Sequence, residues 1–295
     1  MAGSLVSVRG VRPELLTPSK SRDGGFLPYK TIQPGEPAGV GDGCCALAVM
    51  AKAPRPGKVK TRLAPPLTPD QACALNVCFI RDTTENIHEV TEGSSSAGIV
   101  AYTPIGDEAA FEGLLPRGFQ LLGQRGEGFG ERLLHAAEDL FACGFSGVCL
   151  IDSDSPTMPQ SALSQAVALL ARAGDRVVLG GADDGGYYLI GVKRIHPRLF
   201  ERIDWSTERV LEQTLERARE IGLETALLPT WYDVDDAATL ERLHRELSPA
   251  PNFAGPNIAG PNFAGYDAKH TRAYLESLPL PIAGARRPAF TASRA

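Results

Sequence analysis

No apolar run in this sequence approaches the roughly 20 residues of a membrane-spanning helix. The opening stretch MAGSLVSVRGVRPELL contains no apolar segment long enough for a signal peptide, so the expected setting is the cytoplasm. Histidines are few, five in all and scattered, and none is assigned to chemistry. The six cysteines (Cys44, Cys45, Cys73, Cys78, Cys143 and Cys149) form no C-x-x-C pair, and no Cys/His cluster has zinc-ligand spacing. They read as buried, reduced thiols. Positive charge is also in deficit: 30 Lys and Arg stand against 35 Asp and Glu, a net charge of −5. General nucleic-acid binding needs a basic face to neutralise phosphates, and this balance argues against it.

The 295 residues suffice for one large domain or two small ones, and a hydrophobic content of 43% leaves ample material for a core. Residues 1–43 are rich in Gly, Pro, Ser and Arg without sustained periodicity, and read as a mobile extension. Residues 249–295 carry the repeat APNFAGPNIAGPNFAGYDA, whose regularly spaced prolines oppose helix and strand ladders. They read as a low-complexity, disordered tail. Between them, at 44–248, short apolar β-rich runs alternate with amphipathic stretches. CALAVMA, AGIVAY, GVCLID, RVVLGG, YYLIGV and TALLP read as strands. The first helix is expected from Thr68 as N-cap with Pro69 at its first position. Further helices are expected over 130–143, 159–173, 206–222 (Ser206 as N-cap, Gly222 as stop) and 235–247. This alternation predicts a three-layer α/β/α, Rossmann-like domain on a mostly parallel sheet, with ligands beyond the carboxyl ends of the strands.

The first such strand end carries MAKAPRPGKVKTRL, with Lys52, Arg55, Lys58, Lys60 and Arg62 spaced around Pro54, Pro56 and Gly57. Fixed cations and backbone amides on a strand-to-helix loop make a phosphate cradle, although the G-K-[ST] ending of a P-loop is missing. Lys52, Lys60 and Arg62 are assigned to phosphate first. Lys58 comes second as a phosphate contact, and it and Arg55 lie nearer the apex, which in such loops often faces water. The alternative is a solvated basic surface loop.

A second strand end, GVCLIDSDSPTMP, runs into Asp152 and Asp154, which project to one side in extended chain. Two carboxylates so placed repel unless a cation joins them, and Mg²⁺ or Mn²⁺ would also bridge to diphosphate oxygens. An Asx-turn with solvated carboxylates is the competing reading. In GGADDGGYYLIGV, Gly185 and Gly186 permit a tight turn and close ligand approach, and Asp184 could take a proton from an attacking hydroxyl or simply cap its own turn. Tyr187 and Tyr188 could stack on a base or sugar, Tyr187 on the acceptor side, and one of the two must point into the core. IDWSTERV places Trp205 to stack on a ring or to staple a helix, with Ser206 and Thr207 directed at an anion. GQRGEGFGERL offers Arg132 to the nucleotide side or to a surface ion pair. DVDDAATL offers Asp235 or Asp236 as helix caps.

These blocks together resemble a bacterial family of glycosyltransferase-A-like proteins, of the type assigned to arsenosugar biosynthesis, over residues 46–247. That family is itself similar to 2-phospho-lactate guanylyltransferase, whose first loop also ends in K-[ST]-R-L. The resemblance implies Asp154 as the metal-side carboxylate, Asp235 as the acid completing that site, and Asp184 at the position of a family acid. Asp152 stands where that family has glycine, and residues 236–239 depart from its T-P-E-D ending. The expected activity is a metal-dependent glycosyltransferase. It would use a nucleotide sugar and a small-molecule acceptor, with Lys60 neutralising the leaving phosphate. A nucleotidyltransferase releasing pyrophosphate from a nucleoside triphosphate, and a non-catalytic nucleotide-binding protein, are the rival readings.

Overall fold

In the computed structural model, residues 29–248 and 264–278 are described. An eight-stranded sheet runs in the order β1-β4-β3-β2-β5-β7-β6-β8. Its strands are β1 (Lys30–Thr31), β2 (Cys45–Lys52), β3 (Ser96–Thr103), β4 (Gln120–Gly123), β5 (Gly147–Ile151), β6 (Arg176–Ala182), β7 (Tyr187–Val192) and β8 (Glu224–Trp231). All pairings are parallel except those of β7, which runs antiparallel between β5 and β6. The helices are α1 (Pro69–Glu92), α2 (Phe129–Ala142), α3 (Gln160–Ala171), α4 (Val210–Glu220), α5 (Ala237–Leu247) and α6 (Lys269–Ser277).

Alternation along the strands sorts the core into two layers. From β2, Leu47 and Val49 join Ile80 and Ile87 of α1 and Leu163 of α3 on one face. Ala46 and Ala48 join Leu133 and Leu140 of α2 and Ala218 of α4 on the other. Both faces of the central strands are thus covered, which is why β2 and β5 read as near-continuous apolar runs. The expected α/β/α architecture is the one observed.

The helix expected from Thr68 starts there, with a complete capping box between Thr68 and Gln71. The helix expected from Ser206 does not. Ser206 takes a left-handed backbone (φ 65°), Thr207 Oγ1 donates to Asp204 O at 2.7 Å, and α4 begins only at Val210.

Two segments lie outside the span expected for the core. Strand β1 pairs with β4, and Ile32 and Ala38 are buried against α2 and its flanks. Helix α6 packs on α1 and α5 through Tyr274 and Leu275. Its amino end is held by Asp82, which accepts from the His270 and Thr271 N–H groups at 3.0 and 2.8 Å. The repeat itself, at 251–263, lies outside the described residues.

Candidate functional site

The site forms where β2, β5, β6 and β8 end and the antiparallel β7 begins. The basic loop leaves β2 and reaches Lys60, whose backbone is left-handed (φ 47°, ψ 38°) although it is not glycine. Such a conformation costs about 1–2 kcal/mol, and side-chain contacts hold it. The ammonium lies 2.8 Å from Asp154 Oδ1 and 3.1 Å from Asp235 Oδ1, and donates to Val234 O at 2.7 Å. Its side chain is only 4% exposed. Burial works against its charge, but Asp154 and Asp235 outweigh burial and hold the ammonium protonated, above its ordinary pKa.

The two acidic segments are joined by their backbones, since Val234 N donates to Asp154 O at 2.9 Å. Asp235 and Asp236 divide the two roles left open for them. Asp236 caps α5, accepting from Thr239 N at 2.9 Å, and that hydrogen bond holds its carboxyl below the usual range. Asp235 is left to face Lys60 and, at 3.4 Å, Arg62. Asp152 accepts from Ser155 Oγ at 2.9 Å. Burial first, then the charge of Asp154, pushes its carboxyl well above the usual range.

Two adjoining cavities meet at this bridge. The first is a basic groove lined by Lys52, Lys58, Lys60 and Arg62 with Asp154 and Asp235. Asn76 of α1 also lines it, buried to 4% exposure with Oδ1 left without a partner. Arg55, at the loop apex, instead pairs with Asp107. The second cavity, about 320 Å³, opens between Asp152, Asp184 and Asp233 and the rings of Phe129, Tyr187 and Trp205. Met50, Arg62, Asp154 and Asp235 line both.

The glycine turn between β6 and β7 shapes the second cavity. Gly185 has φ 88°, and a Cβ there would lie 2.1 Å from Glu208 O, so only glycine lets this turn meet the Trp205–Arg209 segment. Asp184 Oδ1 caps the turn by accepting from Gly186 N at 2.8 Å, while the residue stays exposed on the cavity wall. Tyr188 is the tyrosine that enters the core, donating to Pro229 O at 2.9 Å, and Tyr187 faces the cavity. Trp205 meets Phe129 and Tyr187 edge to face, at centroid distances of 5.4 and 6.5 Å.

Most of the expected site residues therefore converge. Arg132 does not line either cavity: it donates to Glu127 O at 2.8 Å and sits 5.9 Å from the Phe129 ring. Asp152, Asp154 and Asp235 share the site without drawing three oxygens onto one point. Among the described residues, the group of three whose potential ligand atoms lie within 4.8 Å is Asp82, Glu85 and His270. That group is the anchor of α6: each Asp82 oxygen accepts a backbone N–H of that helix, and Glu85 is paired with His270 at 2.9 Å and Lys269 at 2.8 Å.

Two site residues were passed over at the sequence level. Asn76 sits at the helical spacing of Ala72, Phe79 and Ile80, a polar residue on the buried stripe of α1, and that was its legible signal. Asp233 is the first acid of DVDD. Burial, then the charges of Asp184 and Asp235, pushes its carboxyl up to about 6.

A family model described as "Uncharacterized protein conserved in bacteria (DUF2064)" matches residues 86–207. That span holds the Asp152–Asp154 segment and the glycine turn, but neither the basic loop nor DVDD. A crystal structure from Desulfovibrio desulfuricans G20, described as a "putative nucleotide-diphospho-sugar transferase", is 29% identical with a TM-score of 0.66, over 80% of this chain and 95% of that one. CMP:2-keto-3-deoxy-manno-octonic acid synthetase complexed with CTP is 13% identical with a TM-score of 0.43, over 68% of this chain and 96% of that one. Mycobacterium tuberculosis H37Rv Rv0371c complexed with manganese is also 13% identical at 0.43, over 69% and 98%. These two likenesses are too remote to bear on the site. No curated protein matches the chain. The chain shares the mostly parallel α/β fold of the Desulfovibrio structure.

Proposed function

We propose that this chain is a divalent-metal-dependent transferase that uses a nucleotide sugar and passes the sugar to a small-molecule acceptor. The observation that carries the reading is the division of charge across the Lys60–Asp154–Asp235 bridge, with a cationic groove on one side and an acidic, aromatic cavity on the other. The name of the Desulfovibrio relative supports the same reading.

In this reading the diphosphate lies in the basic groove, where Lys52, Lys58, Lys60 and Arg62 neutralise it. Asp154 and Asp235 suit Mg²⁺ or Mn²⁺, because such ions are commonly held by one or two carboxylates plus phosphate oxygens and water. Crowding of acids supports that fit: burial, then the neighbouring aspartates, holds the Asp152 and Asp233 carboxyls above their usual range, and a divalent ion would relieve that repulsion. When bound, the ion would stabilise charge on the departing diphosphate. The acceptor hydroxyl oxygen bonds to the anomeric carbon, the bond from that carbon to the diphosphate oxygen breaks with its electron pair, and the hydroxyl proton passes to a carboxylate. Asp184 and Asp233 are the groups on the acceptor side that can receive it. Gly185 and Gly186 let the turn approach the acceptor, and Tyr187, Trp205, Ser206 and Thr207 border it.

One feature favours nucleotidyl transfer instead. Four cations in a single groove also suit a leaving pyrophosphate. Thermal-shift measurement with nucleotide sugars and nucleoside triphosphates, each with and without Mn²⁺, separates the two. A Mn²⁺-dependent rise with a nucleotide sugar is expected. A rise with triphosphates alone moves the assignment to nucleotidyl transfer, and silence across both sets removes the transferase reading.

A further inference from the structure

The cavity beside Trp205 has a chemical character that the groove beside it lacks. Five carboxylates line it, those of Asp152, Asp154, Asp184, Asp233 and Asp235. Arg62 is the one Lys or Arg among its lining residues, and that guanidinium is drawn to Asp235 at 3.4 Å. The opposite wall is aromatic. Phe129 is 43% exposed, a large apolar ring left open to the cavity. Trp205 is seated against Gly130, where a Cβ would lie 2.4 Å from the indole Nε1. The close approach fixes the indole on the wall.

From this we infer that the acceptor is an uncharged, polyhydroxylated ring (a sugar or cyclic polyol) and that phosphorylated acceptors are excluded. The inference rests on the transferase reading, which it deepens. Carboxyl oxygens are chiefly hydrogen-bond acceptors, so a wall of aspartates selects a ligand rich in O–H donors. Ser206 and Thr207 add hydroxyls at the rim. The aromatic wall matches the C–H face of such a ring, since large rigid rings supply apolar contact area at little entropic cost.

A phosphate monoester would bring a charge of about −1.5 to −2 among carboxylates whose one guanidinium is already drawn to Asp235, and an ion held by Asp154 and Asp235 would be shared with the donor diphosphate. Like-charge juxtaposition of this kind is how a site rejects a wrong partner. An ammonium group is attracted by the charge but, once protonated, has no lone pair with which to attack. The rings also meet edge to face and do not form the cage of faces that encloses cations. The hydroxyl of a neutral polyol satisfies all three conditions: it donates to carboxylate, it carries a lone pair, and its ring has an apolar face.

The test uses the full chain with Mn²⁺ and a nucleoside diphosphate, reading tryptophan emission in the wild type and in Trp231→Phe, which leaves Trp205 as reporter. The probes are matched pairs: methyl glucoside and glucose 6-phosphate, myo-inositol and inositol 1-phosphate, glycerol and glycerol 3-phosphate. The expected result is that the neutral ring members perturb Trp205 and their phosphorylated partners bind roughly ten-fold more weakly or less. In Asp184→Asn and Asp184→Asn/Asp233→Asn that gap should narrow. The single variant, at an exposed position, keeps the comparison available if the double variant fails to fold. Equal or tighter binding of the phosphorylated members overturns the inference. So does silence from every pair while the nucleotide still raises the melting temperature. Loss of the nucleotide response as well marks a failure of the transferase reading beneath it.

Discussion

The Lys60 ammonium stands 2.8 Å from the Asp154 carboxylate, linking the end of the first basic loop to the carboxyl end of β5. A left-handed backbone at Lys60 makes this reach possible. The same ammonium contacts Asp235, so one buried cation joins three separate segments of chain.

Lys60→Ala should lower stability by about 1–3 kcal/mol. Breaking a buried ion pair costs about 3–5 kcal/mol, and the value is discounted because Asp154 and Asp235 are each about a third exposed. Lys60→Gly should be the milder change, by about 1 kcal/mol, because glycine adopts φ 47° without strain. Urea unfolding of the two variants measures the order. Alanine proving the more stable would show that the backbone carries no strain there.

Gly130→Ala should move the Trp205 indole, since the added Cβ would stand 2.4 Å from Nε1. Overpacking of this kind costs about 1–3 kcal/mol. Tryptophan emission should shift, while stabilisation by a nucleoside diphosphate stays as in the wild type. Loss of the nucleotide effect would mean that the two cavities do not act separately.

Helix α6 should contribute to the stability of the whole domain. Tyr274 is fully buried, and Tyr274→Ala should cost about 3–5 kcal/mol. Burial opposes the charge of Glu85, but hydrogen bonds from His270 and Lys269 outweigh it and hold this carboxyl below its ordinary value. Its contribution is therefore present above the ordinary glutamate value of about 4.3 and is lost as pH falls through the lower folded value. Asp82, pushed up by burial, acts in the opposite sense, so the comparison must be with Glu85→Gln. The gap between wild type and Glu85→Gln should be widest near neutral pH and should shrink toward pH ~3. A gap that grows in acid would reverse the assignment.

All six cysteines are buried, and burial chiefly pushes the Cys78 thiol up to about 12. At pH ~8 iodoacetamide should label none of them in the native chain and all of them in denaturant. Fast labelling of one thiol in the native chain would expose an error in the packing around it.

The main sheet was legible because its longer strands are apolar runs ending in turn residues, and α1 because Thr68-Pro69 with Gln71 spells a capped start. The four residues of β4 and the two of β1 are too short to show a period. The reversal of β7 is set by its neighbours and not by its own residues. Helix α6 was obscured by the proline repeat that precedes it. In the site, the cations of the basic loop and Asp154 were readable as motifs, and the split between Asp235 and Asp236 was not, because either can cap a helix in sequence. Asn76 and Asp233 acquire meaning only when α1 and the end of β8 are brought against the basic loop and the glycine turn.

The most direct measurement is calorimetric titration of a nucleoside diphosphate, with and without Mn²⁺, into wild type, Asp154→Ala and Lys60→Ala, with the parent nucleoside as control. The account predicts Mn²⁺-dependent binding that Asp154→Ala abolishes while the fold survives. Lys60→Ala should weaken the diphosphate far more than the nucleoside. Unchanged diphosphate affinity in Asp154→Ala with Mn²⁺ present, or equal losses for diphosphate and nucleoside in Lys60→Ala, would contradict it.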